Sequence, residues 1–227
     1  MRIVAAILAG GKGERAGGEV PKQFLPVGGK PLLLHSAEIF DGCPEVSSLL
    51  VVVPDGWVKE AKELLKPFRK LTAVIPGGET RQASSFCALR HLSPSPPDYL
   101  IIHDAARPLI TSQMVRRIAA CAPHPATFAL RATDTVAEGA KGKVMKVLDR
   151  ERVYLIQTPQ GAPFSLLYKA HLAAQREGIR DASDDMGLLL RRGVQVTLLE
   201  GDRSNIKVTT PEDLLLAEAL LRERGQE

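Results

Sequence analysis

The stretch IVAAILAGGKGER, residues 3–15, decides the fold class of this chain. Its first part, Ile3–Leu8, is apolar and rich in branched side chains, which is typical of a strand buried on both faces. The glycines that follow, Gly10, Gly11 and Gly13, allow backbone N–H groups to approach an anion closely. Because parallel sheets bind ligands beyond the carboxyl ends of their strands, the loop predicts a site for a phosphate-bearing ligand.

Similar apolar runs recur along the chain and alternate with segments of helical spacing. After Ile3–Leu8 the runs are Ser48–Val53, Leu71–Ile75, Tyr99–Ile102, Thr127–Leu130 and Val194–Leu199, and the helical segments between the first five runs are Leu32–Phe40, Val58–Phe68, Ser84–Leu92 and Met114–Cys121. A parallel connection between strands needs a long crossover, usually a helix. We therefore predict an α/β fold with a Rossmann-like, doubly wound, mostly parallel sheet.

Residues 131–157 break this alternation. The sequence TDTV at 133–136 precedes the glycine-containing sequence EGAKG at 138–142, and two further strand-like pieces, Val144–Leu148 and Val153–Ile156, follow it. Such pieces around a turn predict a hairpin or meander instead of a crossover helix. We interpret this segment as a β-arm embedded in a single domain that spans residues 1–227.

Helical signals return after the arm. We predict helices at Phe164–Arg176, at Ser183–Arg191 and at Leu214–Leu221. The last of these has a strong start signal, because Thr210 stands at the cap position, followed by Pro211, with Asp213 three residues on.

Composition excludes several classes of protein. The chain has 227 residues and a formal net charge of +4, a weak surplus for a nucleic-acid-binding protein of this length. Its apolar run at 3–9 is far shorter than the roughly 20 residues of a membrane span. Three widely spaced cysteines fit neither a disulfide framework nor a zinc site. We expect a cytoplasmic protein that binds neither nucleic acid nor membrane.

Two cations on the glycine-rich loop point to phosphate chemistry. Arg15 and Lys22 lie seven residues apart, and nucleotidyl transfer requires mainly that charge on the phosphates and the leaving pyrophosphate be neutralised. Arginine can bind two oxygens at once, whereas lysine acts as a mobile point charge. The alternative is that both are solvated surface cations.

Other phosphate-binding motifs fit less well. The pattern Gly11-x-Gly13-x-x-Ala16 satisfies a loose dinucleotide fingerprint, but Pro21 keeps the chain in a loop where that motif opens into a helix. No Ser or Thr follows Gly11-Lys12, which excludes a Walker A loop. An oxidoreductase using NAD, or a non-catalytic nucleotide-binding module, therefore remains only as an alternative.

A second site-like segment is IIHDAARP, residues 101–108, at the end of the fourth predicted strand. Asp104 there can hold a hard cation such as Mg²⁺, which bridges phosphate oxygens, or it can cap a turn. Arg107 can face a second anionic group. We interpret His103 as a structural residue at the strand end.

Together these segments resemble the 2-C-methyl-D-erythritol 4-phosphate cytidylyltransferase family. The resemblance covers nearly the whole chain in order, and it is carried by the loop 10–24, by Gly77-Gly78-Glu79-Thr80-Arg81 with Ser84, by residues 103–108, by Asp134-Thr135, by Asp149-Arg150, by Thr158-Pro159-Gln160 and by residues 205–209. Seven collinear motifs make a specific match.

The resemblance implies Mg²⁺-dependent transfer of CMP from CTP to a polyol phosphate in the non-mevalonate route to isoprenoid precursors. It implies Arg15, Lys22 and Lys207 as the catalytic cations, and Asp104 as the metal ligand. It implies that the nucleotide is bound by Ala9, Gly10, Gly11, Gly13, Gly77, Gly78, Glu79 and Ser84, and that the polyol phosphate is bound by Arg107, Thr135, Arg150 and Thr158.

The resemblance also implies a homodimer. In the family, the positions of Thr135 and Arg150 lie on an arm that reaches into a partner subunit and completes its active site. The β-arm at 131–157 fits that role.

One related activity remains open. Ribitol 5-phosphate cytidylyltransferase shares the form of the loop at Leu8-Ala9-Gly10-Gly11 and the same chemistry. The segments 103–108 and 149–152 are more similar to the methylerythritol enzyme, which is the interpretation we favour.

Overall fold

A computed structural model of the chain describes residues 1–10 and 20–224. Three predicted site residues, Gly11, Gly13 and Arg15, lie outside the described residues. The other predicted site residues can all be located.

The described elements alternate strands and helices through most of the chain. The strands are β1 (Ile3–Leu8), β2 (Pro26–Val27), β3 (Lys30–Pro31), β4 (Ser48–Val53), β5 (Leu71–Pro76), β6 (Tyr99–Asp104), β7 (Ala126–Arg131), β8 (Ala137–Ala140), β9 (Lys143–Val147), β10 (Tyr154–Pro163) and β11 (Thr197–Glu200). The helices are α1 (Leu32–Gly42), α2 (Val58–Leu65), α3 (Arg81–Leu92), α4 (Ser112–Ala120), α5 (Phe164–Arg176), α6 (Asp185–Leu190) and α7 (Pro211–Arg224).

Seven strands form the central sheet in the order β11-β7-β10-β6-β1-β4-β5. The pairs β1–β4, β1–β6, β4–β5 and β11–β7 are parallel, whereas β10 is antiparallel to both of its neighbours. The predicted mostly parallel α/β sheet is confirmed. The ends of β1 and β6 lie side by side, since Leu8 pairs with Asp104.

Helices bury both faces of this sheet, as the all-apolar β1 sequence requires. Ile3, Ala5 and Ile7 face a core cluster that includes α1, α2 and α4. Val4, Ala6 and Leu8 face a second cluster built with α3, α5 and α6. A smaller cluster joins α7 to the β2–β3 hairpin through Ala217 and Val27.

The predicted arm, at about 131–157, overlaps strands of the central sheet at both ends. Arg131 ends β7, and residues 154–157 begin β10, which pairs with β7 in the central sheet. The hairpin itself is β8 paired antiparallel with β9. A period-two pattern looks the same in a hairpin and in a sheet strand, so the sequence alone could not separate them.

The predicted strand at Val194–Leu199 is also too long at its start. Strand pairing begins at Thr197, because the backbone N–H of Val194 donates to the Leu189 carbonyl and closes the end of α6. The predicted start of the last helix is confirmed, since the Asp213 carboxylate accepts from the backbone N–H of Thr210 at 2.9 Å. Within residues 1–10 and 20–224, no helix has the length and apolarity needed to cross a membrane.

Candidate active site

A cavity lies where β1 and β6 end at the carboxyl edge of the sheet. We call it the first cavity. Its described lining is Leu8, Ala9, Gly10, Lys22, Gln23, Glu79, Thr80, Arg81, Ser84, Asp104, Ala105, Ala106 and Lys207. Seven of the predicted site residues, drawn from five segments of sequence, therefore lie around one space.

Glycines allow two backbone segments to meet beside this cavity. A Cβ on Gly10 would lie 2.5 Å from the Ser84 Oγ, and one on Gly77 would lie 2.7 Å from the same atom. The Ser84 hydroxyl in turn accepts from the Gly78 N–H at 3.2 Å. Close backbone approach at these positions needs residues without a side chain, which supports the prediction that these glycines and Ser84 belong to one site.

The turn at Lys22–Phe24 fixes a cation at the cavity. Gln23 is buried, and its side-chain amide donates to the Ala9 carbonyl, which ties the turn to the end of β1. The Lys22 Nζ donates to the Val208 carbonyl at 2.7 Å. Lys22 is therefore held between the glycine-rich loop and the segment that carries Lys207.

Asp104 lies between two cations at the end of β6. Its Oδ1 accepts from the Arg81 Nε at 2.9 Å, and its Oδ2 accepts from the Lys207 Nζ at 2.7 Å. Burial by itself raises the pKa of Asp104, but the charges of Arg81 and Lys207 outweigh that effect and hold the pKa well below its usual range. The carboxylate is therefore ionised at neutral pH.

A second cavity adjoins the first. Its described lining is Arg81, Asp104, Arg107, Ile156, Gln157, Thr158, Gln160, Ser183, Asp184 and Lys207. Arg107 and Thr158, both predicted to bind the polyol phosphate, are brought together here. Arg81, Asp104 and Lys207 line both cavities, so two ligands bound in them would meet at these three side chains.

Hydrogen bonds within the chain hold the predicted ligands of the second cavity in place. Arg107 donates to the Asn205 carbonyl at 2.7 Å. The Thr158 hydroxyl accepts from the Asp104 N–H at 3.1 Å and lies 3.1 Å from the His103 Nδ1. Burial lowers the pKa of His103 to about 4. This neutral histidine orients Thr158, as its interpretation as a structural residue predicts.

Three polar atoms of the second cavity's residues are buried without a hydrogen-bond partner in the described part of the chain: Arg81 Nη2, Arg107 Nε and Gln160 Oε1. Buried polar groups are nearly always satisfied in folded proteins, by protein or by bound molecules. Their concentration around one cavity favours a polar ligand there.

Thr135 and Arg150 lie apart from these cavities. Both are exposed, both fall within the described residues, and neither lines either cavity. The Arg150 guanidinium donates to the Thr133 carbonyl at 3.4 Å. Within one chain, the structure does not bring them together with the other predicted ligands.

Metal binding by protein atoms alone has little support at this edge. Residues 1–10 and 20–224 contain no group of three or more His, Cys, Asp or Glu side chains arranged to hold an ion. Mg²⁺, however, is often bound by one or two carboxylates together with substrate phosphates. The carboxylate of Asp104 has about four lone-pair positions, of which two are used. It therefore fits an ion whose other ligands come from a nucleotide.

Sequence reasoning assigned no role to Arg81 or Asp185, yet both belong to the charged cluster at the site. Arg81 donates from Nη1 to the Asp185 Oδ2 at 2.7 Å. One signal was available: Arg81 is the first residue of α3, where the helix dipole disfavours a cation. A cation in that position indicates nearby acids.

The chain is similar over nearly its whole length to proteins that are already known. A model of the family described as "IspD: 2-C-methyl-D-erythritol 4-phosphate cytidylyltransferase" matches residues 3–223. A curated protein from Geotalea uraniireducens (strain Rf4), named 2-C-methyl-D-erythritol 4-phosphate cytidylyltransferase, is 37% identical over 233 residues and covers 100% of both chains.

Solved structures agree with these matches. The crystal structure of the protein of that name from Thermus thermophilus is 36% identical, has a TM-score of 0.75, and covers 98% of this chain and 100% of its own. That from Francisella tularensis is 27% identical, has a TM-score of 0.82, and covers 97% and 100%. The similarity thus extends over essentially the full length of each protein.

Proposed function

Because the chain belongs to the 2-C-methyl-D-erythritol 4-phosphate cytidylyltransferase family, we propose that it transfers the cytidylyl group of CTP to 2-C-methyl-D-erythritol 4-phosphate. The reaction releases pyrophosphate and serves isoprenoid precursor biosynthesis. The observation that carries the proposal is the meeting of two cavities at Arg81, Asp104 and Lys207. A transferase for two anionic substrates needs such a pair of adjoining sites.

The chemistry requires little proton transfer from the protein. A phosphate oxygen of the acceptor forms a bond to the α-phosphorus of CTP, and the bond from that phosphorus to the oxygen shared with the β-phosphate breaks. The acceptor phosphate is already a nucleophile at neutral pH, and His103, buried and neutral, is not needed as a base. Catalysis then consists of positioning two anions and neutralising their charge.

The first cavity would bind CTP. The backbone at Ala9 and Gly10, with Gly77, Gly78, Glu79 and Ser84, would surround the cytosine and ribose, and the glycines of the loop would approach the phosphates. Lys22 and Lys207 line this cavity, and together with Arg15 they would neutralise the triphosphate and the leaving pyrophosphate.

The second cavity would bind the methylerythritol phosphate. Arg107 and Thr158 line it, and the unpartnered Arg107 Nε leaves one donor for an anion. Arginine is well suited to this task because its donors match the geometry of phosphate oxygens.

Mg²⁺ would accompany CTP. Asp104 is the residue that would hold the ion beside the phosphates, with the nucleotide supplying most of its other ligands. When bound, the ion would neutralise charge on the phosphates next to the transferred group.

The arm would act on a second subunit. Val144 and Met145 on β9 are 71% and 68% exposed, and exposed apolar surface of this kind marks contact surfaces. Docking of this hairpin onto a partner would bring Thr135 and Arg150 to the partner's second cavity. This homodimer accounts for two predicted ligands that lie far from the cavities of their own chain.

The cytoplasm is the compartment that suits this protein. None of its cysteines, Cys43, Cys87 and Cys121, is in a disulfide, which supports a reducing environment.

A direct assay tests the proposed function. Pyrophosphate release would be measured with purified protein, Mg²⁺ and CTP, comparing methylerythritol 4-phosphate, ribitol 5-phosphate and no acceptor. Release only with methylerythritol 4-phosphate is expected. Preference for ribitol 5-phosphate would replace methylerythritol 4-phosphate as the proposed acceptor. CTP binding without pyrophosphate release with either acceptor would favour a non-catalytic module.

A further inference from the structure

Four charged side chains form an alternating series through the site. The series runs Asp185, Arg81, Asp104, Lys207, and each link is an ion pair of 2.7–2.9 Å. The four residues come from α6, α3, the end of β6 and the segment before α7. A single hydrogen-bonded chain thus joins distant parts of the sequence at the place where the two cavities meet.

Stability alone is a poor explanation for this series. Asp185 and Asp104 are 1% and 6% exposed, and removing two carboxylates from water costs free energy that ion pairing often fails to recover. Arg81 adds the unfavourable position of a cation at the start of a helix. A buried series of ion pairs of this kind is better explained by a need to hold the charged groups at fixed positions.

Asp185 is itself fixed from three sides. Its Oδ1 accepts from the Ser85 hydroxyl at 2.5 Å and is hydrogen-bonded to the His171 Nε2 at 2.8 Å, while its Oδ2 accepts from Arg81. These contacts come from α3 and α5. These hydrogen bonds hold the Asp185 carboxylate in one orientation, in which it accepts from Arg81.

The position of Asp185 limits how it can affect a reaction. Unlike Arg81, Asp104 and Lys207, it lines neither cavity within the described residues. Arg81 is the side chain that links the Asp185 carboxylate to both cavities. Arg81 in turn contacts the oxygen of Asp104 that Lys207 does not use.

We propose that Arg81 and Asp185 are positioning residues for the transfer. Asp185 fixes the Arg81 guanidinium, and Arg81 fixes Asp104, whose other oxygen holds Lys207 at the boundary between the two cavities. The inference rests on the proposed function, since it concerns the same transfer. It adds two residues to which the resemblance assigns no role, and one of them, Asp185, lines neither cavity within the described residues.

A double-mutant cycle tests this order of action. The variants are Asp185→Asn, Arg81→Met and the two combined, with kcat and KM measured for CTP and methylerythritol 4-phosphate. Rates are expressed per CTP-binding site counted by calorimetry, so that loss of folded protein does not lower kcat.

We expect Arg81→Met to lower kcat about a hundredfold and Asp185→Asn about tenfold, with KM for CTP changed less than about threefold. If Asp185 acts only through Arg81, the double variant will be no slower than Arg81→Met alone, because contacting residues in one network are not additive. Asp185→Glu should recover part of the loss. Independent, multiplying losses would overturn the inference.

Two further variants keep the test decisive. Should Arg81→Met not fold, Arg81→Gln removes the charge while keeping a polar side chain, and its kcat should be equally insensitive to Asp185→Asn. Tyr99→Phe is the control, because it removes a buried hydrogen bond, 2.9 Å to the His124 carbonyl, at the opposite end of β6. Its kcat should equal that of the wild type.

The outcomes separate the two proposals. A wild-type protein that releases no pyrophosphate overturns the proposed function and the inference with it. An active wild type in which Asp185→Asn leaves kcat unchanged, or raises only KM, overturns the inference and leaves the proposed function standing.

Discussion

The carboxyl edge of the sheet and the β8–β9 hairpin differ in how their polar and apolar groups are satisfied. At the edge, the buried Asp104 is paired within one chain with Arg81, whose side chain is 19% exposed. On the hairpin, Val144, Met145 and Val147 are exposed. In the first region, the charged side chains find partners of opposite charge within their own chain. In the second region, apolar side chains are left uncovered by the described part of their own chain.

This difference divides the predicted ligands into two groups. Residues held by hydrogen bonds within their own chain, such as Arg107 and Thr158, are already in position. Arg150 and Thr135 are exposed and depend on whatever the hairpin contacts. Preorganised groups give the largest electrostatic contribution to catalysis. Substitutions in the two regions should therefore differ in how strongly they slow the reaction and in whether they change kcat or KM.

The largest effect is expected at the sheet edge. Lys22→Ala should lower kcat about a hundredfold or more, because one essential donor to a developing charge is typically worth roughly 3–4 kcal/mol. Steady-state pyrophosphate release measures the change. Lys62→Ala, at an exposed site on α2, is the matched control and should keep the wild-type rate. A near-normal rate for Lys22→Ala would remove it from catalysis.

A smaller effect is expected on the arm. Arg150→Ala should raise KM for methylerythritol 4-phosphate about tenfold or more, since a charge-assisted hydrogen bond to phosphate is lost. The KM for CTP should hardly change. Substrate titrations of each ligand at saturating concentration of the other measure both values.

Mixing the two variants distinguishes an arm that acts on its own chain from one that acts on a partner. In a mixed dimer of Lys22→Ala and Arg150→Ala subunits, one of the two shared sites contains neither change. Random exchange should therefore restore about a quarter of the wild-type rate. No recovery after exchange, in protein shown to be dimeric, would contradict a shared site.

The sheet edge should also couple stability to pH. Burial lowers the pKa of His103 to about 4, against roughly 6.5 in an unfolded chain. Between these values the unfolded state binds more protons, so the free energy of unfolding should fall as pH decreases, by about 3 kcal/mol at pH 4. Asp104 and Asp185, whose pKa values are depressed, add their losses at still lower pH.

Urea unfolding at pH 7, 5.5 and 4.5 measures this dependence. His103→Gln should be less stable than the wild type at pH 7 but should lose less stability between pH 7 and 4.5. Parallel slopes for the two proteins would show that His103 is not the responsible group.

The smallest expected effect concerns the glycines of the first cavity. In Gly77→Ala a Cβ would lie 2.7 Å from the Ser84 Oγ and 3.1 Å from a Val52 methyl, and overpacking of this kind costs about 1–3 kcal/mol. Gly42→Ala, where a Cβ meets nothing within 4 Å, is the control and should be neutral or slightly stabilising. Thermal unfolding with and without CTP compares them; equal melting temperatures would contradict close packing at Gly77.

Sequence patterns predicted best the elements that show one continuous pattern along their length. Ile3–Leu8 and Ser48–Val53 are strands with the predicted bounds, and Phe164–Arg176 is a helix with the predicted bounds. Each is a long run of one period, so local sequence and tertiary packing agree. The predicted arm wrongly included residues 154–157, which belong to β10. The direction and neighbours of a strand depend on contacts with residues far along the chain, which a local pattern does not contain.

The site residues that could be predicted are those that belong to recognisable sequence motifs. Asp104 and Lys22 were found from their positions after a strand and on a glycine-rich loop. Asp185 was not, because its role depends on an ion pair with a residue 104 positions away. The pairing of Asp104 with Arg81 could not be derived either, since spacing in sequence does not determine which charges meet.

The antiparallel strand β10 also bears on how the protein is made. On the sheet, β7 has only β10 and β11 as neighbours, and both are synthesised after it. The four strands β6, β1, β4 and β5 can pair as soon as β6 has left the ribosome, whereas β7 must wait until residues 154–163 emerge to join it to them. Pairings of high sequence separation form slowly, so the order of translation favours pairing of β6, β1, β4 and β5 before β7 and β10 join the sheet.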